Sequence, residues 1–339
     1  MKAVVFEAPN ALKIKEVKTP RAGDNEVVVK VEASGVCASD IHILKGDFIG
    51  SDPYPLIPGH EFTGTIVEKG KNVKNFDVND PVAIDPVIPC GKCYYCKRNE
   101  QNHCINFNGL GDTIAGGFAE YVLVPEANLF HFENVSFEEA SLAEPLACVL
   151  YGHKRAPVHL GDDVLIFGAG SLGLLHLQVA RHSGAANITV CDLKKDKLAL
   201  AGELGADYVI NPREEEEDSA LKYSPQGYDV VIDATGSPRV VENAVKFVKN
   251  KGTLMVFGVC PQDATITISP YEIYRRDINI VGVFALNRTF GESIKLIDKG
   301  VINTKRVISD IFPLEKLPLA LEMIENGEAG GKIVIKPHL

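Results

Sequence analysis

The stretch Gly168-Ala169-Gly170-Ser171-Leu172-Gly173 constrains the fold more than any other part of this 339-residue chain. As a bare G-x-G-x-x-G it is a weak signal, because glycines recur in many turns. Its setting narrows the choice. An apolar run, Val164-Leu165-Ile166-Phe167, directly precedes it, an apolar helix is predicted over residues 172–183, and a second apolar run, 187–191, leads to Asp192, nineteen residues after Gly173. Strand, glycine turn, helix and strand in that order make a βαβ unit suited to a dinucleotide. Gly168 permits the tight turn, Gly170 lets the backbone approach a pyrophosphate, and Gly173 lets the helix pack on the sheet. Ser171 and Leu172 open that helix, whose N-terminus faces the anion. Asp192 is suited to hydrogen-bond a ribose 2′-hydroxyl, and its charge repels a 2′-phosphate. NAD is therefore expected rather than NADP, although Lys194 and Lys195 follow immediately.

A chain of this length exceeds what one core usually supports, and at roughly 150 residues per domain two domains are expected. From Lys2 to about Pro125, short apolar runs such as 26–31 and 64–70 are broken by Gly, Pro, Asn and Asp, the punctuation of strands and turns. From Asp162 the text changes to strand and helix in alternation, with strands at 229–233, 252–257 and 278–283 and a helix at 239–248. A β-rich part and a doubly wound parallel sheet follow from the two periods. Helices at 290–299 and 317–326 and a strand at 332–335 come last, and periodicity alone assigns them to neither part.

The 17 uncharged residues 164–180 include three glycines and His176, so they read as strand, turn and helix rather than a membrane span. The acidic run 213–218 reads as a solvated loop or helix start. A net charge of −10 and no block of Lys and Arg exclude nucleic acid as a partner. The N-terminus lacks a secretory apolar stretch, so no membrane association and a cytoplasmic location are expected.

Four of the eight cysteines, Cys90, Cys93, Cys96 and Cys104, follow the spacing C-x2-C-x2-C-x7-C. One short loop can wrap four such thiolates around a single ion, which predicts a closed, structural zinc site. A disulfide framework suits small secreted chains instead. Cys148, Cys191 and Cys260 read as small hydrophobes. Cys37, His60, Glu61 and Glu144 are further metal-capable side chains. Glu144 lies in a weakly polar stretch where an unpaired charge is costly, and one cation would account for all four.

Gly59-His60-Glu61-x2-Gly64-x5-Gly70-x2-Val73 is similar to the zinc signature of the medium-chain dehydrogenases. The cysteine lobe, Gly117-Phe118-Ala119-Glu120-Tyr121 and the 168–173 fingerprint occur in that family's order. The resemblance runs from end to end. It implies an α/β architecture with a GroES-like β-barrel catalytic domain from residues 1–147 and 288–339, and a Rossmann domain, 148–287, inserted between them. Glu144-Pro145-Leu146, where other branches carry cysteine, resembles the polyol branch that includes sorbitol and arabinitol dehydrogenases.

Carried over by that resemblance, Cys37 and His60 are catalytic zinc ligands, Glu61 is a ligand or exchanges with substrate oxygen, and Glu144 binds the metal or its water. Ser39 and His42 resemble the family's proton relay, and Thr235, Gly258 and Phe284 lie by the nicotinamide. An alcohol is too weak an acid to lose its proton at neutral pH unaided, and a Lewis-acidic zinc supplies what is missing. The implied activity is zinc-dependent, NAD-linked oxidation of a polyol's secondary hydroxyl to a ketose, by a homodimer or homotetramer. Threonine, a vicinal diol or another secondary alcohol is the alternative substrate, and a non-catalytic nucleotide sensor the alternative class. Two positions depart from relatives: Ala38 replaces a common glycine, and Ala285-Leu286 follow Phe284 where sorbitol enzymes often carry arginine.

Overall fold

The computed structural model describes residues 1–47 and 53–339, and the chain forms two compact units. One comprises Met1–Ala147 with Leu286–Leu339, the other Cys148–Ala285. The return to the first unit falls two residues earlier than the expected 287/288 boundary. Leu286 is buried, and Asn287 accepts a hydrogen bond from the Gln101 backbone N–H and donates one to the Asn99 carbonyl, which ties both residues to the first unit.

The second unit holds a six-stranded, all-parallel sheet. Its order is Tyr208–Ile210, Asn187–Cys191, Asp163–Phe167, Tyr228–Asp233, Val248–Val256, Asn279–Gly282. Numbered along the chain this is 3-2-1-4-5-6, with the reversal between Asp163–Phe167 and Tyr228–Asp233. Val164, Leu165 and Ile166 are wholly buried, as expected of a central strand covered on both faces. The predicted helix 239–248 is shorter, Pro238–Ala244. Val248 already belongs to a strand, because it is buried and pairs with Tyr228 before a register shift.

His153, on the helix Ala143–Arg155, and His176, on Ser171–His182, meet inside this unit with Nε2 and Nδ1 3.2 Å apart. Burial pushes His153 down to about 4 and, with the His153 charge, His176 well below its ordinary value of 6.5. The unfolded chain therefore binds more protons than the folded one below about pH 6.5. Stability is complete above that value and is lost as pH falls toward the folded pKa. Between pH 7 and pH 5 the loss from His153 is expected to be about 2 kcal/mol, and His176 adds to it in the same direction. Urea unfolding of this unit across the window measures it, and a flat profile would refute neutral burial.

In the first unit the described residues form a seven-stranded sheet. Its main path runs Ile308–Pro313, Lys332–Lys336, Glu26–Gly35, Glu61–Lys69, Pro81–Ile84, Leu129–His131, and Tyr121–Pro125 also pairs with Glu26–Gly35. Val27, Val29 and Val31 alternate toward one core with Phe62, Ile66 and Val122. The C-terminal strand, which periodicity left unassigned, pairs antiparallel with Glu26–Gly35 through Val334 and Ile335. That pairing brings the end of the chain beside Cys37 and His60. Among the described residues no helix is long and apolar enough to cross a membrane.

Candidate metal and dinucleotide sites

Cys37 lies just beyond the strand Glu26–Gly35 and caps the helix Ala38–Lys45, with its backbone N–H donated to Asp40 Oδ2 at 2.9 Å. His60 and Glu61 stand at the start of the strand Glu61–Lys69. The turn before them is held by Gly117 N–H to Gly59 carbonyl at 2.7 Å and Phe118 N–H to Pro58 carbonyl at 2.9 Å. Gly59 has φ +96°, and a Cβ there would come 2.9 Å from the Phe118 nitrogen, so glycine answers both backbone shape and space.

Cys37, His60 and Glu61 offer ligand atoms that all lie within 4.8 Å of one another. Glu61 is 1% exposed and His60 6%. His60 Nδ1, Glu61 Oε2 and Asp40 Oδ1 are buried without a hydrogen-bond partner. Orphaned buried polar atoms are costly, and a soft thiolate, an imidazole and a carboxylate together are a zinc donor set. Gly35 keeps the space that Glu61 Oε2 occupies, since a Cβ there would approach it to 2.2 Å. The residues fit a zinc ion.

Glu144 lies outside that three-residue cluster. It is buried in the first turn of Ala143–Arg155, where Ser293 Oγ donates to the Ala143 carbonyl at 2.7 Å. Its charge reaches the site through Lys332, whose pKa it helps to raise. Ser39 Oγ lies 3.4 Å from His60 Nε2. His42 is half-buried, three residues further along the same helix and so on a neighbouring face position.

Three contributors escaped sequence reasoning. Lys332 Nζ, 5% exposed, donates to Glu61 Oε1 at 2.7 Å and to the Val36 carbonyl at 3.2 Å. Burial alone would lower its pKa, but Glu61, Cys37 and Glu144 hold it above the usual lysine range. Asp40 Oδ1 and Asp112 Oδ1 each stand 3.6 Å from His60 Nδ1. Burial alone would push the imidazole down, yet Asp40, Cys37 and Asp112 keep it well above its ordinary value. The same burial lifts Asp40 to about 6 against the pull of His60. Carboxylates behind a ligating imidazole fix its tautomer and orientation. Asp40 was legible as the third residue of the helix that Cys37 caps; Asp112 and Lys332 carried no sequence signal.

The second group, Cys90, Cys93, Cys96 and Cys104, also lies within 4.8 Å throughout. Cys90 and Cys96 sulfurs are 4.0 Å apart and those of Cys93 and Cys104 3.9 Å. Four sulfurs about 2.3 Å from a central zinc in a tetrahedron stand about 3.8 Å apart. Backbone N–H groups of Cys90 and Cys96 donate to the sulfurs of Cys104 and Cys93, at 3.3 and 3.5 Å. Without a cation the thiols divide: the Lys92 N–H draws Cys90 down to about 6, while burial pushes Cys96 up to about 12. None of the eight cysteines forms a disulfide, and of the remaining three Cys191 is buried and Cys148 and Cys260 half-buried.

The glycine turn carries its expected stereochemistry. Gly168 has φ +96°, a Cβ on Gly170 would meet open space, and one on Gly173 would lie 1.8 Å from the Gly168 carbonyl oxygen. Ser171 begins the helix Ser171–His182 and Leu172 follows in its first turn. Asp192 braces the turn, its Oδ2 accepting from Ala169 N–H at 2.7 Å and its Oδ1 from Lys194 N–H at 2.9 Å. Thr235, Gly258 and the exposed Phe284 each follow the carboxyl end of a strand of the same sheet. The cradle fits a dinucleotide.

Comparison with known proteins agrees with this geometry. Residues 23–134 match the alcohol dehydrogenase GroES-like domain, and residues 171–299 match the zinc-binding dehydrogenase family. The chain is 35% identical to D-arabinitol dehydrogenase 1 of Uromyces fabae, over 100% of this chain and 97% of that protein. It is 33% identical to D-altritol 5-dehydrogenase of Agrobacterium fabrum, over 94% of each. Among solved structures, a zinc-binding dehydrogenase of Sinorhizobium meliloti 1021 bound to NADP superposes with a TM-score of 0.94 at 33% identity, covering 99% of both chains. An alcohol dehydrogenase of E. coli CFT073 complexed with NADH gives 0.91 at 29% identity, again over 99% of both. A GroES-like unit with two zinc-competent clusters and a Rossmann unit with a nicotinamide-dinucleotide cradle thus agree with relatives that span the whole chain, which belongs to the zinc-dependent medium-chain dehydrogenases as an oxidoreductase similar to their polyol branch.

Proposed function

We propose that the protein oxidises a secondary hydroxyl of a polyol to the ketose, reversibly and with NAD, using zinc held by Cys37 and His60 with Glu61 beside them. The observation that carries this reading is the convergence of Cys37, His60 and Glu61 in the first unit, with the buried Oε2 of Glu61 left without a hydrogen-bond partner. Zinc there supplies the Lewis acidity that favours loss of an alcohol's proton at neutral pH. Ser39, 3.4 Å from His60, relays that proton, giving up its own as it takes the alcohol's, and His42 on the same helix releases it to solvent. Lys332 tethers Glu61 by one oxygen, leaving the other without a hydrogen-bond partner. Glu144 serves as a second carboxylate for the metal or its water.

The 168–173 turn and Asp192 would hold NAD, which would supply the hydride acceptor, and Asp192 is the basis for preferring it over NADP. Ala285 and Leu286 place no charge after Phe284, which favours arabinitol- or xylitol-type substrates over sorbitol. We further infer a cytoplasmic homodimer or homotetramer. Tyr271 and Tyr274 stand exposed on the helix Pro270–Arg276, beside an edge strand, Asn279–Gly282, that is itself largely exposed.

The test is NADH formation, followed by absorbance, with sorbitol, arabinitol, xylitol, their phosphates, threonine, 2,3-butanediol and simple secondary alcohols. The largest kcat/KM is expected for a pentitol, with NAD above NADP. A maximum for threonine or a diol would overturn the polyol reading and keep the zinc chemistry. Silence of the zinc-loaded protein across the panel would overturn both.

A further inference from the structure

Asp233 ends the strand Tyr228–Asp233, which lies beside Asp163–Phe167 where the strand order reverses. In an open parallel sheet, ligands lie outside the carboxyl ends of the strands at that reversal. Asp233 is wholly buried there. A buried carboxylate is costly unless hydrogen bonds replace its water, and among the described residues its hydrogen-bond partners are all neutral.

Those partners connect two loops. Asp233 Oδ1 accepts from Thr235 Oγ1 at 2.5 Å and from Thr235 N–H at 3.0 Å, and its Oδ2 accepts from Gly236 N–H at 3.3 Å. Its backbone carbonyl accepts from Phe257 N–H at 3.1 Å and Gly258 N–H at 2.9 Å, in the loop after the neighbouring strand Val248–Val256. Gly258 fits against this assembly only as glycine, since a Cβ would lie 2.1 Å from the Gly236 nitrogen and 2.9 Å from Asp233 Oδ2. Thr235 Oγ1, having donated to Asp233, accepts from Ser237 N–H at 3.1 Å. Its methyl carbon sits 3.1 Å from where a Cβ on Gly168 would be.

We propose that Asp233 is a positioning residue for the cofactor: through Thr235, Gly236 and Gly258 it sets the shape of the surface under the nicotinamide end without touching the dinucleotide itself. This rests on reading Thr235 and Gly258 as cofactor-contacting residues. If the position served packing alone, an apolar side chain would fill it at less cost than a carboxylate held by neutral donors. What a carboxylate adds is direction, because it accepts simultaneously from the Thr235 hydroxyl, the Thr235 N–H and the Gly236 N–H. Asp233→Asn keeps the size but points an amide donor at one of those donors.

The experiment compares NADH, followed by its fluorescence, with ADP-ribose, which lacks nicotinamide, on the zinc-loaded full chain and its Asp233→Asn and Thr235→Val variants. NADH affinity is expected to weaken about tenfold in each variant, as loss of a well-made buried hydrogen bond implies, with ADP-ribose affinity unchanged. KM for NAD rises and kcat at saturating NAD falls. The double variant loses no more than the worse single one, because the two residues act as a unit. Thr235→Val removes only a hydroxyl, so the test stands even where Asp233→Asn fails to fold. Equal weakening of NADH and ADP-ribose, or of neither, would overturn the positioning role. Failure of the unaltered protein to bind NADH at all would overturn the cofactor reading on which it rests.

Discussion

Replacing Cys37 with alanine is expected to lower turnover by at least 10³-fold, equivalent to about 4 kcal/mol of lost transition-state stabilisation, while NADH affinity stays as in the unaltered protein. The reason lies in the donor set. Cys37 supplies the only thiolate near His60 and Glu61 among the described residues, and the remaining imidazole and carboxylate are a poor zinc site by themselves. Metal content should fall from two ions per chain to one, since the four-cysteine cluster is untouched. The glycine turn, Asp192 and Thr235 belong to the other compact unit, which is why dinucleotide binding should survive. Metal analysis with fluorescence titration of NADH tests both halves. Full activity with unchanged zinc content would remove Cys37 from the site.

Cys96→Ala is expected to have the largest structural effect. The lobe from Cys90 to Cys104 has scarcely any core of its own: its buried cluster is the cysteines themselves, with Tyr95 and Phe107 packed against them. Apparent binding energies of ~10–16 kcal/mol for such zinc sites exceed what so few apolar contacts contribute. Loss of one thiolate should therefore release the structural ion and leave residues 90–104 open to proteolysis. Limited digestion with mass spectrometry reads this directly, and a protease-resistant lobe lacking its zinc would refute the assignment. The Cys37, His60 and Glu61 cluster should still retain its metal.

What was legible in the chain before folding was what depends on short spacing. The cysteine lobe spans 15 residues, and a loop that brings its sulfurs to 3.9–4.0 Å is implied by the spacing alone. Gly173 is readable because a helix starting at Ser171 has to pack against the turn it leaves. The helix over 239–248 was misjudged for the converse reason. Val245 to Val248 suit either a helix or a strand, and pairing of Val248 with Tyr228 decides the matter.

The chain by itself determined the four-cysteine cluster, the dinucleotide turn and the candidacy of Cys37, His60 and Glu61, because local geometry and donor chemistry need no distant partner. Only the tertiary structure decided that Lys332 tethers Glu61 across 271 positions, that Asp112 joins Asp40 behind His60, and that Asp233 ties together the loops of two adjacent strands. Each of these depends on burial: a charge or carboxylate is worth an organised partner only once water has been removed, and which partner it meets is set by sheet pairing, not by sequence distance.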